Sequence, residues 1–340
     1  MCRGSDRLTG AGNCHRIQDV KIFITGATGF IGSHLVERLS RDRGTEIWAL
    51  VRNPEKAAGW PAAVHILKGD LASIPRLPSD LDIVYHLAGL TKALKSIDYY
   101  TVNRQGTARL IQSLEAMDGR PRVVVLSSLA AAGPSFKGGA VKESDPPRPV
   151  DPYGQSKLLG EEEALVRRDR FPLVIVRVGA VFGPGDKDFL SYFGFIKKGI
   201  LPAFGRGRPL SLCYVKDLVR ALALCAGTEF RSGEILNIGD PRPYGWQEIG
   251  ETAGRILGKK LRRLPIPLPA VFLGAIFSEI FSALRRKPSI INLDKFKEMR
   301  QDGWVADVTK AERLLSFRTQ YSLEQGLRET LSWYQEHGWL

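Results

Sequence analysis

A chain of 340 residues is too long for one minimal domain and short for three; at about 150 residues per domain it predicts two. Hydrophobic residues make up 44% and charged residues 25%, without repeats or low-complexity tracts, which excludes a disordered chain and a solenoid. The formal net charge of +13 favours anionic partners (phosphates, acidic lipids or nucleic acid) without choosing among them.

Residues 1–19 mix Gly, Arg and Asp without an apolar period or the apolar core of a signal peptide, and read as a mobile tail. Order begins at Val20. The run Val20-Lys21-Ile22-Phe23-Ile24 suits a strand buried on both faces of a parallel sheet. The turn Thr25-Gly26-Ala27-Thr28-Gly29-Phe30-Ile31-Gly32 follows, then helical spacing over Ser33 to Leu39 and a second strand over Glu46 to Val51. Strand, glycine turn, helix and strand make a βαβ unit. Val64-His65-Ile66-Leu67, Ile83 to Leu87, Val123 to Leu126 and Leu173 to Val176 continue it. The economical fold is α/β, a Rossmann-type doubly wound parallel sheet.

Gly26, Gly29 and Gly32 form G-x-x-G-x-x-G, one residue away from the G-x-G-x-x-G fingerprint. Glycines here permit a tight turn and let backbone N–H groups approach a pyrophosphate at the positive end of the next helix; a purely structural turn is the alternative. An acid after the second strand would favour NAD, and a cation the 2′-phosphate of NADP. The sequence has Val51-Arg52-Asn53-Pro54, with Lys56 close by, so NADP is expected and NAD stays possible. After the third strand, Asp70 either accepts from an adenine amino group or caps a helix ahead of Ala72 and Ser73.

Tyr153-Gly154-Gln155-Ser156-Lys157 opens a helix after Asp151-Pro152, and its i,i+4 spacing puts phenol and ammonium on one face. A free phenol, with a pKa of about 10, takes up a proton role near neutrality only if a cation favours the phenolate. Lys157 and an oxidised nicotinamide are the expected cations. Ser127 and Ser128 end the run Val123 to Leu126, at the C-terminal end of a buried strand where open α/β sheets bind ligands.

These residues resemble the extended short-chain dehydrogenase/reductase family, over about residues 20–335. The likeness includes Tyr85-His86-Leu87-Ala88-Gly89, Asn103-Arg104-Gln105-Gly106-Thr107, Arg177 to Gly185, Val215-Lys216-Asp217-Leu218 and Leu236-Asn237-Ile238-Gly239. It implies Ser128 as catalytic hydroxyl, Tyr153 as acid/base and Lys157 as the cation holding the cofactor, with hydride transfer at nicotinamide C4. The cofactor is expected against Gly26, Thr28, Gly29, Phe30, Ile31, Gly32, Arg52, Asp70, Leu71, Leu87, Ala88, Gly89, Tyr153, Lys157 and Val178. Asn103 and His86 read as structural.

Departures from the family narrow the chemistry. Its dehydratases carry an Asp-Glu pair after the catalytic hydroxyl, whereas Ser128 precedes Leu129-Ala130-Ala131. Val51-Arg52 looks like the reductase and 3β-hydroxysteroid-dehydrogenase-like branches, including dihydroflavonol-reductase-like proteins. Against that, Lys197, Lys198, Arg206 and Arg208 offer charge for a nucleotide diphosphate. Three readings stay open: an NAD(P)-dependent oxidoreductase on a carbonyl or alcohol, an NAD-dependent nucleotide-sugar epimerase, and a non-catalytic dinucleotide-binding protein.

The Rossmann portion is expected over 20–179 plus 211–238, and a discontinuous substrate region over 180–210 plus 239–335. Gly183-Pro184-Gly185 and Gly239 to Pro243 read as the crossings. Lys259, Lys260, Arg262, Arg263, Arg285, Arg286 and Lys287 bracket the apolar stretch 264–284, in which Pro265, Pro267 and Pro269 should leave Ala270 to Leu284 as helix. That is short for a span. Either it is a lid on the substrate cleft, or 259–287 makes weak contact with an anionic membrane surface. Cys2, Cys14, Cys213 and Cys225 form no C-x-x-C pair, and His15, His34, His65, His86 and His337 show no ligand spacing. Neither a metal nor nucleic acid is expected. A small-molecule substrate, a homodimer and a cytoplasmic setting, peripheral to the membrane at most, complete the reading.

Overall fold

The computed structural model describes residues 20–204, 208–285 and 293–340. Its strands are β1 (Val20–Thr25), β2 (Thr45–Val51), β3 (Val64–Lys68), β4 (Ile83–His86), β5 (Arg122–Ser128) and β6 (Leu173–Val178). Then come β7 (Ala180–Phe182), β8 (Ile200–Phe204), β9 (Leu212–Tyr214), β10 (Glu234–Ile238) and β11 (Arg262–Ile266). The first six helices are α1 (Phe30–Leu39), α2 (Ser96–Tyr99), α3 (Gly106–Glu115), α4 (Leu129–Ala132), α5 (Pro152–Leu165) and α6 (Leu190–Lys197). They are followed by α7 (Val215–Gly227), α8 (Trp246–Ile256), α9 (Leu268–Arg285), α10 (Leu293–Met299), α11 (Thr309–Leu315) and α12 (Leu323–Glu336).

Seven strands form one sheet in the spatial order β10-β6-β5-β4-β1-β2-β3, every pair parallel. Helices cover both faces, which is why the strands are apolar almost throughout. Leu35, Val36 and Leu39 of α1 join Leu218 and Leu222 of α7 on one face. Leu110, Ile111 and Leu114 of α3 join Ala164 of α5 on the other. A separate core gathers Phe189, Phe193 and Ile196 with Ile249, Leu327 and Tyr334, beside the parallel pairs β7–β9 and β8–β11.

The doubly wound sheet is as expected, and three local readings change. Helix α1 starts at Phe30, because Gly29 is already an extended N-cap (φ −79°, ψ 174°). No helix follows Asp70; its Oδ1 accepts from the N–H groups of Ala72 (2.8 Å) and Ser73 (3.0 Å) and closes a turn. Helix α9 starts at Leu268, two residues before the expected Ala270, since Pro269 sits in its first turn, where no intrahelical N–H is required. No helix among the described residues is long and apolar enough to cross a membrane. The expected tail 1–19, Arg206, Arg286 and Lys287 lie outside the described residues.

Candidate active site

The winding reverses between β1 and β4, and that reversal opens a crevice at their C-terminal ends. Gly26 leaves β1 with φ +74°, and a β-carbon there would lie 2.6 Å from Ala88 N. One on Gly32 would lie 2.1 Å from Gly26 O. These two glycines therefore seat α1 against the strand ends. Gly29 is exposed and caps α1 without a side chain, and the first turn holds no acid. The N–H groups of Phe30 and Ile31 thus face the crevice end of the helix dipole uncapped, a cradle that fits a pyrophosphate. Thr28 lies half-buried in the turn.

Across the crevice, Leu87 N donates to Thr25 O (3.1 Å) and Ala88 N to Thr25 Oγ1 (3.2 Å), which leaves Gly89 exposed. His86 is buried between two hydroxyls, Thr25 Oγ1 at 2.7 Å from Nδ1 and Thr107 Oγ1 at 2.9 Å from Nε2. Burial, helped by the Lys157 charge, pushes its pKa down to about 3, so it is a neutral structural residue. Asn103 lies in a π-helical stretch, Tyr100–Gln105, and ties the Leu90 backbone (2.7 Å and 3.0 Å) to Ser156 Oγ (2.9 Å). It is structural too.

The specificity end is looser. Arg52 and Lys56 are exposed just beyond β2 and form no ion pair among the described residues. Asp70 spends one oxygen on its turn. The Leu71 side chain is core, packed where a Gly106 β-carbon would lie 2.7 Å from its Cδ1. Val178 ends β6 in register with Ser128 on one side and Ile238 on the other.

Ser128 ends β5, and its Oγ accepts from Ala130 N (3.1 Å). Asp151 caps α5 by accepting from Gly154 N (2.7 Å), with Pro152 in the first turn, so Tyr153 enters at the helix's start. The Ser128 side chain stands close enough to the Tyr153 phenol to act on its proton, and the Tyr99 ring centre lies 5.9 Å from that of Tyr153. Lys157, one turn on, donates to Leu126 O (2.7 Å), and its Nζ lies 3.7 Å from where a Gly89 β-carbon would be. Burial lowers the Lys157 pKa to about 8 against the pull of Glu161. The phenol departs from expectation: burial raises its pKa above the ordinary tyrosine value, Ser128 opposes, and Glu298, Asp151 and Asp188 add to the rise. The chain alone keeps the proton on Tyr153.

Two groups escaped the sequence reading. Glu298 of α10 faces Asp151, whose pKa burial raises to about 7. Nothing local to either residue signals this, because α10 reaches the site only through tertiary packing. The other group is a buried brace: Arg177 of β6 meets Glu161 of α5 (2.9 Å and 2.6 Å), which also accepts from Ser127 Oγ (2.5 Å). Arg177 inside the apolar run Leu173–Val178 was the available signal, since a buried cation demands a partner.

Residues 22–239 match the model of the NAD dependent epimerase/dehydratase family. The chain belongs to that family. It is 29% identical to a ceramide reductase of Caulobacter vibrioides, over 94% of this chain and 96% of that one. It is also 29% identical to a UDP-N-acetyl-alpha-D-glucosaminuronate decarboxylase of Bacillus cytotoxicus, over 93% and 98%. Among solved structures, MoeE5 in complex with UDP-glucuronic acid and NAD is similar at TM-score 0.73 and 27% identity, covering 93% of this chain and 99% of that one. Family members thus differ widely in substrate, which directs attention to the cations beyond the sheet. Lys197 and Lys198 are exposed at the end of α6. Arg208 keeps one guanidinium nitrogen buried without a partner among the described residues.

Proposed function

We propose that this chain is an NAD(P)-dependent oxidoreductase that reduces a carbonyl or oxidises the matching alcohol, with Ser128, Tyr153 and Lys157 as its catalytic set. The observation that carries the reading is the convergence of Ser128, at the C-terminal end of β5, and Tyr153, in the first turn of α5 where Gly154 abuts the Ala130 carbonyl, with Lys157 one helical turn on and bonded to Leu126 O. The dinucleotide would lie along Gly26, Thr28, Gly29, Phe30, Ile31 and Gly32, cross Leu87, Ala88 and Gly89, and reach Val178 and Lys157. Arg52 would hold the 2′-phosphate, Asp70 would offer its second oxygen to the adenine, and Leu71 its backbone. When bound, the nicotinamide supplies or accepts the hydride.

The residues divide the remaining work. Tyr153 gives its proton to the carbonyl oxygen, a role suited by a phenol that stays protonated in the chain alone. Ser128 spends a lone pair on Ala130 N, which fixes its rotamer and leaves its O–H for the same substrate oxygen. Lys157 spends one N–H on Leu126 O and keeps two for ribose hydroxyls, while its charge steadies the phenolate left behind. The Rossmann portion, 20–179 with 211–238, would carry the cofactor, and 180–210 with 239–335 the substrate.

The likeness to a ceramide reductase, the missing acid after β2 and Leu129-Ala130-Ala131 after Ser128 favour reduction of a carbonyl on an apolar body. The unpartnered Arg208 nitrogen favours the second reading, a nucleotide-sugar epimerase. Purified protein incubated with NADPH or NADH and a panel of long-chain ketones, sterol ketones and UDP-sugars decides between them. Oxidation of NADPH by an apolar ketone supports the proposal. Copurified NAD with UDP-sugar interconversion, and no net change in cofactor, overturns it.

A further inference from the structure

Helix α9 is amphipathic the wrong way round for a helix in water. Its buried positions are Val271 and Ala275, and the polar residues Ser278, Glu279 and Ser282 are partly covered. Glu279 is used inward, accepting from Leu293 N of α10 (3.0 Å). At 100° per residue, Leu273, Phe277, Phe281 and Leu284 form one stripe on the opposite side. They are 55%, 70%, 52% and 77% exposed. Leu264 on β11, just ahead of the helix, is 49% exposed and extends the apolar surface.

Cations stand at both ends of this stripe. Lys259, Lys260, Arg262 and Arg263 are exposed ahead of α9, and Arg285 closes it with its guanidinium 4.0 Å from the Phe281 ring centre. None of the five forms an ion pair among the described residues. We propose that this face lies in the plane of an anionic lipid surface, the stripe sunk to the acyl boundary and the cations on the headgroups.

Charge selects the lipid over a second copy of the chain. A twofold contact through α9 would bring Arg262 and Arg263 of one copy toward Arg285 of the other, so like charges would meet at both ends. An anionic surface neutralises all five at once. The docking rests on α9 and β11 rather than on the chemistry assigned to Tyr153, so it and the proposed reaction fail separately.

Vesicle flotation tests it. Wild-type protein should rise with phosphatidylcholine vesicles containing about 30% phosphatidylglycerol at low ionic strength, and bind at least tenfold less to pure phosphatidylcholine. Raising salt to about 0.5 M should release it. A Phe277→Ser/Phe281→Ser variant and an Arg262→Gln/Arg263→Gln/Arg285→Gln variant should each lose at least tenfold, with unchanged circular dichroism melts. The wild-type salt response serves even where a variant misfolds. Protein that stays at the bottom with anionic vesicles overturns the proposal. So does a dimer in sedimentation equilibrium that Phe277→Ser breaks, or a membrane fraction that resists carbonate.

Discussion

Gly154 lies so close to Ala130 that a β-carbon at position 154 would sit 2.4 Å from the Ala130 carbonyl oxygen. The start of α5 is thereby pressed onto the turn that follows Ser128, and the phenol and hydroxyl are set against each other by backbone contact. Gly154→Ala must push the two segments apart. The expected result is a stability loss of about 1–3 kcal/mol, read by urea denaturation. The loss in kcat on the best carbonyl substrate should be at least tenfold, larger than the change in KM.

Tyr153→Phe keeps the ring packing against Tyr99 and removes only the hydroxyl, and with it the transferable proton. Turnover should fall at least about a hundredfold, within the usual range for a general acid. Dinucleotide affinity, measured by fluorescence quenching, should stay within a few-fold. Retained turnover would remove Tyr153 from the mechanism.

Arg52 projects from the end of β2 and forms no ion pair among the described residues. Arg52→Ala should weaken NADP by about 1.5–3 kcal/mol, the range for hydrogen bonds to a charged group, and leave NAD nearly unchanged. Calorimetric titration with both dinucleotides reads the difference. Equal losses would mean that Arg52 serves the fold.

Asp151 carries a pH signature. Its folded pKa, about 7, lies above the ordinary carboxylate value, chiefly through burial, with Glu298 adding to it. The folded state therefore binds the extra proton between roughly pH 4 and 7, and stability contributed by that proton is lost as pH rises through the window. Asparagine keeps the cap oxygen for Gly154 N and carries no charge. Asp151→Asn should accordingly melt higher than wild type at pH 8 and match it near pH 4. An Asn variant that melts lower at pH 8 would place the carboxylate's value elsewhere.

Glu161 and Arg177 are both almost fully buried. Glu161→Gln leaves the guanidinium without its counter-charge and should cost about 3–5 kcal/mol in chemical denaturation. Replacing both partners by leucine should recover most of that loss.

What the sequence made legible was local. Gly26 and Gly32 announce themselves because the backbone permits nothing larger, and Tyr153 and Lys157 because helical spacing alone puts them together. Asp70 carried two meanings, an adenine acceptor or a cap, and the turn at Ala72 and Ser73 takes one oxygen without touching the other. Pro269 reads as a breaker in the sequence, although a first helical turn accepts proline. Glu298 was invisible: it lies 147 positions from Asp151, and only packing of α10 brings the two carboxyls together.

The hydroxyls around His86 settle which ring nitrogen carries hydrogen. Thr107 has one proton, and its Oγ1 donates it to Asn103 O at 2.6 Å. Toward His86 Nε2 at 2.9 Å it can then only accept, so Nε2 bears the hydrogen of the neutral ring. Nδ1 is left as acceptor and takes the proton of Thr25, whose oxygen in turn receives Ala88 N–H. Donors and acceptors therefore run in a single direction, from the amide at Ala88 through threonine, imidazole and threonine to the carbonyl of Asn103. The tautomer is dictated from outside the ring, and Thr107→Val would strand the Nε2 hydrogen in the core.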